Sequence, residues 1–424
     1  MTIEALFYAL FPELKTLIGP EVLHYVIFFS PIVIVIILAE IFWYVWVQYV
    51  QSKQFLSLKY TVLELKLPKD TFKSPLAMEL FLTSLHNISG ENWYSMYWKG
   101  ETRPWYSLEL ISVEGQVKFF IWTEDRRKAG VMSGLYSQYP EIEIIEREDY
   151  TKGLHFDPKK IRIWCGEFVF TKADPYPIKT YVDYGLDKDP KEEFKVDPMT
   201  PMIEFLGSVP PNQQVWIQFM IRGHKKEQRK PGHLFKQTDL WKDQAEAEVN
   251  KILLRDKKTK VAGEVNPDTG YSKLPTITKG EQEIVAALER SISKTPFDVG
   301  IRALYIAPKE SFDTPFGVGG VISSFGHYRY EHLNGFKPNG NKWHPQLTYP
   351  WQDYNNIRRN KFGRRGLAAY KRRSYFYEPY KAKPLVLNVE ELATVYHFPG
   401  SVSGTPGLTR IPSKKSGAPS NLPV

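Results

Sequence analysis

The pattern of apolar and polar positions changes character near Tyr49. From Tyr25 to Val47 the chain reads YVIFFSPIVIVIILAEIFWYVWV, apolar throughout with one charge, Glu40. A helix rises about 1.5 Å per residue, so this run is about 35 Å long against a hydrocarbon layer of about 30 Å. It exceeds a signal-peptide core and ends on Phe42, Trp43, Tyr44, Trp46 and Tyr49 rather than on small residues. The run predicts a retained transmembrane helix over 25–50, with its aromatic end at the headgroups. Glu40 marks a helix–helix contact or an ion path, or else reaches toward the headgroups. Residues 1–24 read as an amphipathic segment, lying along the outer interface or packed on the end of the span.

Beyond the span, strand and helix periods alternate. Tyr60–Leu67 alternates like a strand, Pro75–His86 has helical spacing, and Ser107–Val113 and Gln116–Thr123 are strands joined by Glu114-Gly115. Asp125–Tyr139 reads as a helix stopped before Pro140, and Glu141–Arg147 as a closing strand. The order β-α-β-β-α-β predicts a ferredoxin-like unit over 58–150. A second unit of related type is predicted over 160–333. Its strands are Ile161–Lys172, Ile178–Tyr184, Gln214–Arg222 and Phe297–Ala307, and its helices Met199–Val209, Lys279–Ser293 and Thr314–Tyr330. A charged insertion over 223–278 interrupts it, with a polar helix at Leu234–Arg255 and an exposed loop at Asp256–Thr276. The fold class is therefore α+β, one membrane helix followed by two ferredoxin-like units; the recurrence suggests duplication, without residues matching at a fixed period.

Charge then assigns a side. The formal net charge is +9 and the pI about 9.1, which favours a polyanion or an anionic membrane surface. The segment before the span carries Glu4, Glu13, Lys15 and Glu21, and the one after it Lys53, Lys59, Lys66 and Lys69. The positive-inside bias puts the C-terminal body in the cytoplasm of a single-pass protein of the cell membrane. The lone cysteine, Cys165, excludes an internal disulfide.

Residues 334–400 form a basic, aromatic connector ending in a strand and a helix, and 401–424 a Pro/Gly/Ser/Lys-rich flexible tail. Between Asn356 and Lys383 ten Lys and Arg face one acid, Glu378, and Tyr370, Tyr375, Phe376, Tyr377 and Tyr380 are interleaved. Arg358, Arg359, Arg364, Arg365, Arg372 and Arg373 are the candidates for phosphate contact. Three readings stay open: a nucleic-acid path, a face on acidic lipid or protein, or plain solvation.

Catalytic signatures are missing. Glycine is nowhere followed directly by lysine, which excludes a standard P-loop, and no H-E-x-x-H occurs. One cysteine cannot build a Cys-rich zinc site. Gly317-Val318-Gly319-Gly320 lacks the dinucleotide fingerprint and reads as close helix packing on a sheet. No catalytic residue, metal or cofactor is predicted.

The last stretch changes the functional reading. Pro384–Gly400 reads PLVLNVEELATVYHFPG, and Pro419–Pro423 reads PSNLP. Leu387, Asn388, Glu390, Glu391, Leu392, Ala393, Thr394, Tyr396, His397, Phe398 and Pro399 resemble the lead-in to the nucleotide-binding domain of membrane-anchored ATPases. These are the conjugative, type IV secretion coupling proteins and HerA-like DNA translocases. The resemblance implies a membrane-anchored accessory module of a DNA-transfer or secretion ATPase, without a motor of its own. It implies as partners the membrane, a P-loop ATPase in trans or as a C-terminal continuation, DNA, and further copies of the chain. Glu390, Glu391, Tyr396, His397 and Phe398 would dock the partner. The alternative is an envelope scaffold that binds proteins or anionic lipid and no nucleic acid.

Overall fold

The computed structural model describes residues 20–68, 73–89, 92–187, 196–226, 228–229, 237–253, 278–340, 349–400, 407 and 410–411. It begins with α1 (Pro20–Ser57), β1 (Tyr60–Pro68), α2 (Pro75–Leu85), β2 (Trp105–Val113), β3 (Gln116–Glu124), α3 (Lys128–Gln138), β4 (Glu143–Arg147) and β5 (Ile161–Phe170). There follow α4 (Thr200–Gly207), β6 (Gln214–Gly223), β7 (Gln228–Arg229), β8 (Gln237–Thr238), α5 (Leu240–Ile252), α6 (Lys279–Ser293) and β9 (Pro296–Pro308). The chain continues through α7 (Gly320–Ser324), β10 (Phe336–Pro338), α8 (Ile357–Lys371), β11 (Leu385–Asn388), α9 (Val389–Val395) and β12 (Arg410–Ile411). The amphipathic segment expected over 1–24 lies, but for the first turn of α1, outside the described residues, as do the loop at 256–276 and the PSNLP run.

Two compact units result. The first holds α1 and the described part of Gly90–Thr102. Phe28–Ser57 is long and apolar enough to cross a membrane, and most side chains from Phe28 to Val45 are exposed. Toward its C-terminal end Trp46 donates from Nε1 to the Tyr97 carbonyl at 3.1 Å. Trp43 packs on Tyr97, and Trp46 on Trp98. Gly100 adopts φ +71 and lies against the Val50 carbonyl, where a Cβ has no room. Glu40 lies in a shallow groove with Ile36, Ala39, Trp43, Val47 and Tyr97.

The second unit is built on one sheet. Its first half pairs in the order β4-β1-β3-β2 and its second in the order β10-β5-β9-β6, every pair antiparallel. Both halves thus run fourth, first, third, second in chain order. They join edge to edge through β2 and β6, from Trp105↔Arg222 to Val113↔Gln214. The two expected units therefore share a continuous sheet. The tight turn between β2 and β3 needs positive φ at both central residues, and Glu114 (φ 52) and Gly115 (φ 82) supply it.

One face of the sheet carries Leu63, Leu108, Phe119, Ile121, Ile217, Phe219, Ile301 and Ala303, packed with α2, α3, α4, α7 and α9 in one core. Fully burying such side chains contributes about 1.5–3 kcal/mol each. Gly317 and Gly320 abut the rings of Tyr305 and Phe205, so the glycine cluster serves close packing. By strand alternation the other face of β5 presents Ile163 and Cys165, and α8 lies on it through Gly363 and Gly366. Helix α5 of the insertion packs on α6 through Val249, Val285 and Leu288.

Four expectations are corrected. Ile178–Tyr184 forms irregular backbone and turns rather than a strand: two of its backbone donors go to side chains of α9, Ile178 N to Glu391 and Tyr181 N to Thr394, and Lys179 N goes to the Tyr328 carbonyl. The helix expected over Thr314–Tyr330 is broken into a π turn (Thr314–Gly319), α7 and a 3₁₀ turn (Gly326–Tyr328), in a segment whose four glycines weaken a continuous helix. The polar helix of the insertion begins only at Leu240, capped by Asp239. The tail is not wholly free of the sheet: the Gly407 carbonyl accepts from Val117 N at 2.8 Å, and β12 pairs in parallel with Leu67 and Pro68.

Candidate functional site

Four strands each place a polar or charged residue near their middle, and pairing register puts these residues in a row. Glu109 of β2 stands opposite Gln218 of β6, Gln218 opposite Arg302 of β9, and Arg302 opposite Glu167 of β5. All four are buried. Arg302 donates from Nη2 to Glu167 Oε1 at 2.7 Å and to the Ser374 carbonyl at 3.0 Å. Gln218 donates from Nε2 to Glu109 Oε1 at 3.0 Å.

The arm that leaves α8 closes this row. Arg373 is 1% exposed and grips Glu109 with Nε and Nη2, while Nη1 reaches Asp149. Its φ of +47 lies in the left-handed region usual for glycine just past a helix end. The forked ion pair holds that backbone in place. Tyr150 donates its hydroxyl to Glu109 Oε2 at 2.8 Å and meets the Tyr370 hydroxyl at 2.9 Å. Burial pushes both phenols well above their ordinary value, so they stay protonated donors.

A second cluster lies at the ends of β6 and β9. Asp298 accepts from Arg222 Nε at 2.9 Å, and Arg103 Nη1 stands 3.6 Å away. His224 Nδ1 meets the other Asp298 oxygen at 2.6 Å, and its Nε2 is 3.4 Å from Asp239, the N-cap of α5. Burial works against the charged ring, but Asp298 and Asp239 raise its pKa above the ordinary histidine value. This imidazole fastens the insertion to the sheet. No group of three or more His, Cys, Asp or Glu among the described residues is placed to hold a metal ion.

Of the candidates for phosphate contact, Arg358, Arg364, Arg365 and Arg372 are exposed and Arg359 is half-buried. Arg373 is corrected from a surface cation to an internal anchor. Arg358, Arg364 and Arg365, with Lys361, share one face of α8 opposite Gly363, Gly366, Leu367 and Tyr370, and Arg372 follows at its C-cap.

The candidates for partner docking are corrected together: all five are docked on their own chain. Glu390 pairs with Arg290 at 3.3 Å and Lys294 at 3.7 Å. Glu391 completes a capping box with Asn388 and accepts from Ile178 N at 2.8 Å. Burial pushes its carboxyl up to about 8. Tyr396 donates to the Phe120 carbonyl at 3.4 Å, and Phe398 packs edge-on to Phe119 and Tyr139. His397 bridges the Ala393 carbonyl at 2.9 Å and Asp197 at 3.0 Å. The cap and the apolar spacing of this run serve the fold first: β11 pairs with β9, and α9 packs on α2.

The row of Glu109, Gln218, Arg302 and Glu167 escaped sequence reasoning. Its signal was available, since a single charge at the centre of an apolar strand demands a partner. No curated protein matches the sequence. Residues 52–406 take in the whole sheet but for β12, both clusters and α9, and match a family described as a domain of unknown function (DUF8128). The chain belongs to that family.

Proposed function

We propose that this chain is a membrane-tethered, non-catalytic assembly module of an ATPase-driven DNA-transfer or secretion machine, its body on the cytoplasmic side. The observation that carries the reading is the run from Leu387 to Pro399, which resembles the approach to the motor of coupling ATPases. The helix α1 supplies the tether. In this reading the two halves of the sheet are ferredoxin-like units. Their shared fourth–first–third–second strand order supports that assignment, as does the insertion between the second and third strands of the later half. The body then sets contacts between copies of the chain, and a P-loop ATPase, separate or continuous with it, supplies the energy.

One observation favours a second reading, an envelope scaffold without nucleic acid. Glu390, Glu391, Tyr396, His397 and Phe398 are engaged inside the body, so a motor would have to meet a different surface. Purification of the full chain from native membranes in mild detergent decides between them. Co-elution of a P-loop ATPase in comparable amount supports the first reading. Recovery of envelope proteins with no ATPase overturns it.

A further inference from the structure

The approach to α8 exposes a group of large apolar side chains that the body leaves uncovered. Trp351 and Tyr354 are each 77% exposed and Ile357 is 63% exposed, and Tyr349 stacks on Trp351 with ring centroids 4.7 Å apart. Beside them, on the outer face of α8, stand Arg358, Lys361, Arg364 and Arg365. Counted from Ile357 these fall at i+1, i+4, i+7 and i+8, one side of a helix. Between Tyr349 and Tyr377 the only acid is Asp353. Its side chain is 3% exposed and caps the helix, accepting from Arg358 N at 2.7 Å and Arg359 N at 3.2 Å. The outward field of this face is therefore positive.

We infer that this face docks on an anionic lipid surface, with Trp351, Tyr354 and Ile357 entering the headgroup layer and the cations of α8 lying on lipid phosphates. An apolar tip with Trp and Tyr beside a basic ridge is the chemistry of interfacial helices. A branched aliphatic side chain at the exposed tip suits the acyl boundary of a bilayer, whereas flat rings stacking on bases would suit single-stranded nucleic acid. The span of α1 brings a bilayer into the same molecule, so docking of this face would be a second, intramolecular contact with it. The inference rests on the anchor alone and not on any motor partner.

The test uses the full chain in liposomes, with a nitroxide on Tyr354→Cys; Cys165 is buried, and the unsubstituted chain serves as the labelling blank. In bilayers containing phosphatidylglycerol the label gains oxygen contact and loses contact with a water-soluble nickel complex. It returns to water in pure phosphatidylcholine. The triple variant Arg358→Glu, Lys361→Glu, Arg364→Glu also returns it to water, because losing three cations alone weakens docking about a hundredfold and the three new carboxylates repel the anionic surface further. These substitutions lie on an exposed face, and an unchanged thermal melt shows that the body remains folded. A label that stays aqueous on the anionic bilayer overturns the inference. So does a label shielded by double-stranded DNA and not by anionic lipid, which gives the face to nucleic acid. Loss of liposome flotation by the unsubstituted chain removes the anchor and the inference with it, whatever co-purifies.

Discussion

Arg373 and Glu109 are 264 residues apart in sequence and form a buried forked pair, Nε to Oε1 at 2.9 Å and Nη2 to Oε2 at 3.1 Å. The pair joins the arm after α8 to the middle of the sheet. It also holds Arg373 at a φ that a branched or long side chain rarely adopts. Closure of the polar face of the sheet therefore depends on a residue outside every strand.

Replacing Arg373 by methionine leaves Glu109 buried without its main counter-charge. The expected loss is about 3–5 kcal/mol of unfolding free energy, read by denaturant titration. Arg373→Gly relieves the backbone conformation but not the charge, so it remains destabilised. Arg373→Met combined with Glu109→Gln recovers part of the loss, because the stranded carboxylate is gone. Equal losses for the single and double variants would show that the pair does not act as described.

Gly366 sets the distance between α8 and β5. A Cβ there meets the Cys165 side chain, and one at Gly363 stands 3.1 Å from the Ile163 carbonyl. Gly366→Leu forces α8 off the sheet and costs about 1–3 kcal/mol or more, the usual penalty for overpacking. Gly280, on an exposed turn of α6, has open space around its Cβ position. Gly280→Ala should raise stability by about 0.4–1 kcal/mol, since the helix no longer carries the extra chain entropy of glycine. The opposed signs are read side by side in thermal melts.

Local signals explain how much of this molecule was legible in advance. The apolar run of α1 and the Glu114-Gly115 turn are each complete within a few residues, and each element stands where its spacing put it. Ile178–Tyr184 has strand-like composition, yet its backbone is bound by α9, a contact more than 200 residues away. No local period could report that. The same holds for the ion pairs of the polar row, which span from 135 to 264 residues. The basic stretch was visible as charge, but only the orientation of α8 separates its exposed arginines from Arg373.

Asn334 is a buried junction between β10 and the end of β5. Its Oδ1 accepts from Thr171 Oγ1 and Lys172 N, and its Nδ2 donates to the Ala173 and Tyr176 carbonyls at 3.1 and 3.0 Å. Asn334→Asp turns both donors into an acceptor facing two carbonyls and buries a charge. Asn334→Ala merely leaves those groups unpaired, at about 1–3 kcal/mol for each buried group. The aspartate variant should therefore be the less stable of the two at neutral pH and should recover as pH falls and its carboxyl protonates. An aspartate variant as stable as the alanine one would contradict the assigned amide orientation.

His397 gives the fold a pH dependence whose sign follows from its contacts. Burial alone lowers its pKa, but Asp197 and the Ala393 carbonyl more than offset this, and the value stands above the ordinary 6.5. Asp197 is likewise held below its ordinary 3.8, against the effect of its own burial, by His397. A raised histidine contributes stability that is complete below the unfolded value of 6.5 and is lost as pH rises through the folded value. A lowered aspartate contributes stability that is present above 3.8 and is lost as pH falls through its folded value. The contact is therefore fully developed between about pH 4 and pH 6.5. In that window His397→Gln should cost about 1.5–3 kcal/mol, the range for hydrogen bonds to charged groups. The cost should shrink as pH rises above 6.5 and through the raised folded value, where the native imidazolium loses its proton. Denaturant titrations of both proteins across this range test the sign: a deficit that grows with pH would mean that His397 is neutral in the folded chain.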